Sequence, residues 1–174
     1  MNTSQLWCCI ACDPQLQQRI LGVFPADRLP KTITTFPCGF IANTDIHTAK
    51  GRHWCAFYFS STQREAEFFD SYGKNPMYNS GHFAKWLDER VSYVTRSRKQ
   101  IQSNYSKVCG LYCLFYLQQR LAGRSMQEIV KAFSADCLSA NDEFIHRYMS
   151  ATFSHCGVNE CGHNQTCKPL ITHI

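Results

Sequence analysis

A chain of 174 residues with 44% hydrophobic and 13% aromatic side chains can bury a core, which excludes a disordered or fibrous polypeptide and fits one folded domain. Its net charge of +5 is too mild to establish nucleic-acid binding by itself. No stretch approaches the about 20 apolar residues of a membrane-spanning helix, and the N-terminal MNTSQLWCCIACDPQL lacks the basic segment and long apolar run of a signal peptide.

The first 50 residues read as polar and irregular, with short apolar pieces and a short helix over Gln15–Val23 leading to the Pro25–Pro30 segment. Pro37–Thr44 reads as a strand entering a loop. His53–Ser60 (HWCAFYFS) has the aromatic content of a buried strand, and Glu65–Asp70 (EAEFFD) reads as its hairpin partner. Ser71-Tyr72-Gly73-Lys74-Asn75-Pro76 is turn chemistry. Gly81–Val91 puts Phe83, Trp86, Leu87 and Val91 near one helical face, and Ser92–Thr95 follows as a short strand. Cys109–Leu121 is an apolar helix ending at Gly123. Ser125-Met126-Gln127-Glu128 is a capping box opening a helix through Phe133. Asn141 is the expected cap of a last helix carrying Phe144, Ile145, Tyr148 and Met149 on one side. The fold class is therefore α+β, with a small, mostly antiparallel central sheet flanked by helices.

The cysteines point to a reducing compartment. They are eleven in number, an odd count, and Cys55, Cys113 and Cys137 fall inside helix or strand patterns, where a thiol usually packs as a small hydrophobe. Mostly free thiols are expected, and the sequons at Asn2, Asn104 and Asn164 are then chance matches. Cys109 differs from the others. It stands where the polar loop Ser106-Lys107-Val108 becomes a helix, facing unsatisfied backbone N–H groups and the positive end of the dipole. Both favour thiolate, the nucleophilic form.

A cysteine hydrolase also needs a base, an orienter for the base and oxyanion donors. His53 begins one strand and Asp70 ends the next, so an antiparallel hairpin makes them neighbours. His53 would take the thiol proton and Asp70 would hold its other ring nitrogen. Gln102, in the loop before Cys109, would donate to the attacked carbonyl oxygen together with the Cys109 backbone N–H. Each residue has a bland reading too: a packed thiol, a satisfied loop histidine, an aspartate capping Tyr72 or Gly73, an unremarkable glutamine. Their combination in this order favours the catalytic reading.

Several segments carry a family likeness: Gly51-Arg52-His53-Trp54-Cys55-Ala56-Phe57, Phe68-Phe69-Asp70-Ser71-Tyr72-Gly73, Gln102, and Val108-Cys109-Gly110-Leu111-Tyr112-Cys113. Gly22–Pro30 and Phe40–Asp45 agree with them. The chain resembles the adenovirus maturation proteases (adenain) and the related proteases of adintovirus-type viruses and Maverick/Polinton elements. The resemblance implies a papain-like fold of the SUMO-protease clan with the nucleophile at the N-terminus of a central helix. It implies a cysteine endopeptidase that cuts viral capsid or core precursors after small residues such as Gly during particle maturation. Carried over by position, His53 is base, Asp70 orienter (Asp where adenain has Glu), Cys109 nucleophile and Gln102 oxyanion donor. Trp54, Asn43 and Gly110 are substrate-binding candidates. No metal or cofactor is required for the chemistry. Activation by DNA and by a viral peptide is implied by resemblance, and the basic stretch Arg96, Arg98, Lys99, Lys107 is either a solvated loop or a contact for DNA. The expected setting is the virion and host nucleus, as a monomer with no membrane partner.

Residues 155–174 form a Cys/His-rich tail set apart from a protease domain at 1–154. Cys156, Cys161, His163 and Cys167 are zinc-ligand types without a C-x₂-C half; a disulfide-capable tail, or an internal substitute for an activating peptide, is the other reading. Three further functions stay open: a deconjugating protease for a ubiquitin-like modifier, against which stands Val108 rather than Asp before the nucleophile; a non-catalytic domain of the same fold; and a zinc-binding module.

Overall fold

The run Trp54–Phe59 is apolar on both alternating faces, so the strand it forms must be covered on both sides. A computed structural model describes residues 1–154 and shows this arrangement. The elements are α1 (Thr3–Cys12), α2 (Pro14–Arg19), β1 (Ile20–Phe24), β2 (Cys38–Asn43), β3 (Trp54–Phe59), β4 (Glu65–Phe69), α3 (Pro76–Asn79), α4 (Gly81–Arg90), β5 (Tyr93–Arg96), α5 (Cys109–Leu121), α6 (Met126–Lys131) and α7 (Leu138–Thr152). The five strands form one sheet in the order β1-β2-β3-β4-β5.

The centre of the sheet, β2-β3-β4, is antiparallel as expected. The edge strands β1 and β5 instead join in parallel, which makes the sheet mixed. β3 divides its side chains between two cores. Trp54, Ala56 and Tyr58 pack with α1, α2, α5, α6 and α7, whereas Cys55, Phe57 and Phe59 pack with α4 on the other face. Phe57 is the hub of the second core. Its ring lies 4.5 Å from that of Phe40, 5.1 Å from Phe68 and 5.3 Å from Phe83.

α5 lies across the first face. Tyr112, Cys113, Leu114, Tyr116 and Leu117 are fully buried, and the Tyr116 ring stacks on Phe69 at 4.3 Å. Close approach needs Gly39: a Cβ there would stand 2.6 Å from Leu117 Cδ2 and 2.7 Å from the Phe57 carbonyl. At its far end, Arg120 donates Nε–H to Glu67 Oε2 (2.6 Å) and Nη2–H to Oε1 (2.9 Å). That fork ties α5 to β4, and the Arg120 guanidinium also lies 4.4 Å over the Tyr58 ring.

The structure corrects several sequence expectations. Gln15–Val23 is not one helix: α2 ends at Arg19, and Ile20–Phe24 pairs with β2, sheet pairing overriding a marginal helical pattern. Residues 3–12, read as irregular, form α1, closed by a capping box between Asn2 and Gln5. Asn141 does not cap α7, which starts at Leu138. Its amide instead bridges two loops, accepting from Ser134 N–H at 3.0 Å and donating to the Ile101 carbonyl at 2.9 Å. Cys137 is exposed rather than packed, and Phe144 and Tyr148 are only partly covered while Ile145 and Met149 are buried. Cys38, Cys55, Cys109 and Cys113 are buried free thiols, whereas Cys12 is disulfide-bonded. The tail residues Cys156, Cys161, His163 and Cys167 lie outside the described residues. No described helix is long and apolar enough to cross a membrane.

Truncating Phe57 to Ala should cost about 3–5 kcal/mol, the range for emptying an aromatic site in a packed core. Urea unfolding followed by tryptophan fluorescence measures it.

Candidate active site

Three backbone features converge at one end of the sheet. His53 precedes β3, Asp70 follows β4, and Cys109 opens α5. The antiparallel register sets Ala56 against Phe69, which brings the two strand ends carrying His53 and Asp70 side by side. His53 Nε2 lies 2.7 Å from Asp70 Oδ1. The imidazole also acts electrostatically on the Cys109 thiol, which opens α5 beside it. The Tyr72 ring packs on the imidazole with centroids 4.8 Å apart.

Asp70 is fully buried and its carboxylate is saturated. Oδ1 also accepts from Tyr72 N–H (3.0 Å), and Oδ2 accepts from Lys74 N–H (3.0 Å) and from Asn79 Nδ2 (3.1 Å). The turn reading of Asp70 holds, since its carboxylate caps Tyr72 N–H, and the same carboxylate also reaches the His53 ring. The Ser97 hydroxyl grips its backbone, accepting from Asp70 N–H and donating to Asp70 O, both at 2.9 Å. Gly73 lets this turn close: its φ is +68°, and a Cβ would sit 2.8 Å from backbone carbons of Arg98 and Lys99.

The electrostatics follow from these contacts. Burial opposes ionisation of Asp70, but the hydrogen bond and charge of His53, with Tyr72 N–H and Asn79, hold its pKa below the ordinary carboxylate value. Burial likewise disfavours the His53 imidazolium; Asp70 and Cys109 outweigh it and raise His53 to about 9. For Cys109, burial opposes the thiolate, and the His53 hydrogen bond and charge, then the Trp54 and Gly110 backbone N–H groups, lower its pKa below the ordinary thiol value. Val108, the N-cap of α5, supplies no side-chain cap, so the first-turn N–H groups are not taken by a neighbouring side chain.

Gln102 is fully buried and held at every polar atom. Its Oε1 accepts from the Ser71 hydroxyl at 2.6 Å, and its Nε2 donates to the Ser106 carbonyl and hydroxyl, each at 3.1 Å. It is thereby tied at one end to the residue after Asp70 and at the other to the loop entering α5. Asp142 fixes this loop from α7, accepting from Ser103 N–H at 3.2 Å and from the Tyr112 hydroxyl at 3.0 Å.

Of the other candidates, Trp54 is buried and its indole N–H donates to the Met1 carbonyl at 3.1 Å. Gly110 faces Trp54 and α1; a Cβ there would meet Leu6 Cδ2 at 3.2 Å and Trp54 Cδ1 at 3.4 Å. Asn43 accepts from Asp45 N–H at 2.9 Å and abuts Gly51, so its side chain is spent on the 43–51 loop. Ligand atoms of His53, Cys55 and Asp70 lie within 4.8 Å of one another. His53 Nε2 and the Asp70 carboxylate are already paired with each other, and burial keeps the Cys55 thiol neutral, its pKa well above the ordinary value.

The sequence did not single out Asn79, Ser71 or Ser97, whose partners are brought together only by the fold.

No family model matches the chain. A cysteine protease of African swine fever virus, described as a SUMO-1 cysteine protease, is 30% identical over 115 residues, covering 58% of this chain and 41% of the relative. The protease of porcine adenovirus A serotype 3 is 27% identical over 124 residues, covering 62% of this chain and 58% of the relative. The chain is thus similar to these viral cysteine proteases. It matches less than two thirds of the length of either relative. Among solved structures, ChlaDub1 from Chlamydia trachomatis shares the fold, with a TM-score of 0.54 over 92% of this chain and 93% of that one at 14% identity. The α+β architecture thus recurs where little sequence is shared.

The pKa directions give a pH profile for iodoacetamide alkylation of Cys109. The midpoint of the rate should lie below the ordinary thiol pKa. In His53→Ala the profile should move to higher pH, because the hydrogen bond and charge of His53 are lost and only the Trp54 and Gly110 N–H groups still oppose burial. His53 is raised in the folded state, so the pair's contribution to stability is full below about 6.5, the free imidazole value, and is lost as pH rises through about 9. A thermal-melting series from pH 6 to 10 should show that decline in wild type and a smaller one in Asp70→Asn, where Cys109 alone still raises the imidazole.

Proposed function

We propose that this chain is a cysteine endopeptidase in which Cys109 is the nucleophile, His53 the base, Asp70 its orienter and Gln102 an oxyanion donor. The observation that carries this reading is the meeting of Asp70, His53 and Cys109, with Asp70 to His53 at 2.7 Å and a thiol whose pKa His53 lowers. Kinship with viral cysteine proteases supports it.

In this mechanism Cys109 Sγ, as thiolate beside His53 imidazolium, attacks the scissile carbonyl carbon. The carbonyl π electrons move to oxygen, and the Cys109 backbone N–H, one of the uncapped donors at the start of α5, receives that charge. Gln102 Nε2 is the second donor. At rest it points to Ser106, so one N–H must exchange the Ser106 hydroxyl for the oxyanion. That hydroxyl keeps a partner, since it donates to the Ser103 carbonyl at 3.2 Å. The tetrahedral adduct collapses as His53 passes its proton to the leaving amine, leaving a thioester on Cys109. Water, deprotonated by His53, attacks the thioester, releases the acid and restores the thiolate–imidazolium pair. Asp70 stays ionised throughout and stabilises the imidazolium.

The proposed substrates are viral precursor polypeptides cut after small residues such as Gly. Trp54 and Gly110 are proposed to border the substrate backbone, with Asn43 supporting the adjoining loop. DNA and an activating peptide are the partners to add in an assay, and the virion and host nucleus the proposed setting. The alternative substrate class is a ubiquitin-like modifier, favoured by the description of the African swine fever virus relative. A panel of Gly-Gly peptides against folded modifier conjugates separates the two.

Cys109→Ala should abolish cleavage of a peptidyl-Gly-Gly coumarin substrate while leaving the circular dichroism spectrum unchanged. Gln102→Ala should lower kcat by about 10²–10³ with KM nearly constant, the usual cost of losing one oxyanion donor. Cleavage that persists in Cys109→Ala would remove the proposal.

A further inference from the structure

An amide side chain can donate to an oxyanion only if its nitrogen, not its oxygen, is turned the right way. In Gln102 that choice is fixed by its neighbours. The Ser106 carbonyl oxygen can only accept, and it lies 3.1 Å from one end of the amide, so that end is Nε2. The other end is therefore Oε1, and the Ser71 hydroxyl, 2.6 Å away, must be donating to it.

Ser71 also holds the Gln102 backbone. Its carbonyl accepts from Ile101 N–H at 2.9 Å and from Gln102 N–H at 3.2 Å. Ser71 is fully buried, and among the described residues its hydroxyl is the hydrogen-bond donor to Gln102 Oε1. Its neighbour in sequence is Asp70, the residue bonded to His53.

We propose that Ser71 is a positioning residue that fixes the orientation of the Gln102 amide and locks it to the same turn that holds Asp70. The assignment rests on the cysteine-peptidase reading above and adds to it a residue that acts through Gln102 alone. Removing the hydroxyl leaves Oε1 buried without its donor and takes away one of the two anchors of the amide, the other being Ser106. With only the Ser106 end held, the amide plane is free to turn, and the N–H meant for the developing charge is no longer aimed at it. The loss would appear in the transition state and not in ground-state binding.

The test compares wild type, Ser71→Ala, Ser71→Thr, Gln102→Ala and Ser71→Ala/Gln102→Ala on a peptidyl-Gly-Gly coumarin substrate, with Cys109 alkylation against pH measured on each. Ser71→Ala should lower kcat about 10- to 100-fold, less than outright loss of the donor, with KM changed less than about twofold. Its alkylation profile should match wild type, because the Asp70–His53–Cys109 contacts do not pass through the hydroxyl. Ser71→Thr, which keeps the hydroxyl, should recover most of kcat. In the Gln102→Ala background, Ser71→Ala should have no further effect. If thermal melting shows Ser71→Ala unfolded, Ser71→Cys, of similar size and with a weaker donor, is read in its place. An unchanged kcat in a folded Ser71 variant, or a loss of equal size with and without Gln102, would overturn the Ser71 assignment while leaving the peptidase reading intact. A wild-type chain that neither cleaves the substrate nor shows an acid-shifted Cys109 would overturn the peptidase reading, and the Ser71 assignment with it.

Discussion

A carboxylate with no exposure to water governs this structure. Taking an ion out of water costs several kcal/mol unless its lone pairs are filled. Asp70 fills them with the His53 ring, two backbone N–H groups and the Asn79 amide. Much of the surrounding architecture follows from that requirement. The turn after β4 must curl tightly enough to aim Tyr72 and Lys74 N–H at the carboxylate, which calls for glycine at position 73. α3 must begin soon after, so that Asn79 can reach back, and Ser97 must leave β5 where its hydroxyl meets the Asp70 backbone.

The other half of the site has a different origin. Cys109 belongs to the helix that fills the core on one face of the sheet, while His53 and Asp70 are placed by the ends of its two central strands. The site lies at a seam, and its geometry is the docking geometry of α5 against β3 and β4. Backbone groups do part of the electrostatic work. The Trp54 and Gly110 N–H groups that favour the thiolate are positioned by a strand start and a helix start, so they need little reorganisation as charge moves.

The hairpin and the nucleophile helix were legible in the sequence because their signals are local. The aromatic-rich apolar run from Trp54 to Phe59, the EAEFF partner and the switch from polar loop to apolar helix at Cys109 each state a composition or a boundary within a few residues. The parallel edge strands were not legible as such, since strand direction is decided by long connections. β1 was absorbed into a helix because the apolar residues of 20–24 follow directly on α2, and only pairing with β2 reveals them as a strand. α1 did leave a signal, the Asn2/Gln5 capping box, overlooked among its cysteines. Asn141 shows the opposite error. An asparagine near a helix start reads as a cap, yet its amide is used across two loops. The residues that hold Asp70 and Gln102 in place were invisible for a related reason: Ser71, Asn79 and Ser97 are ordinary turn and loop residues until tertiary structure brings their partners within reach.

The fork between Glu67 and Arg120 lies at the end of α5 away from the chemistry. A helix is stiff along its axis, so a slide at Arg120 would be delivered almost undiminished to Cys109, about 16 Å away at 1.5 Å per residue. Two parallel charged hydrogen bonds resist such a slide more than apolar packing does, because packed side chains tolerate small slips and a bidentate pair does not. The fork therefore works as a longitudinal stop. Alignment of Cys109 with His53 becomes a mechanical property of the whole helix, set in part by an ion pair at its far end.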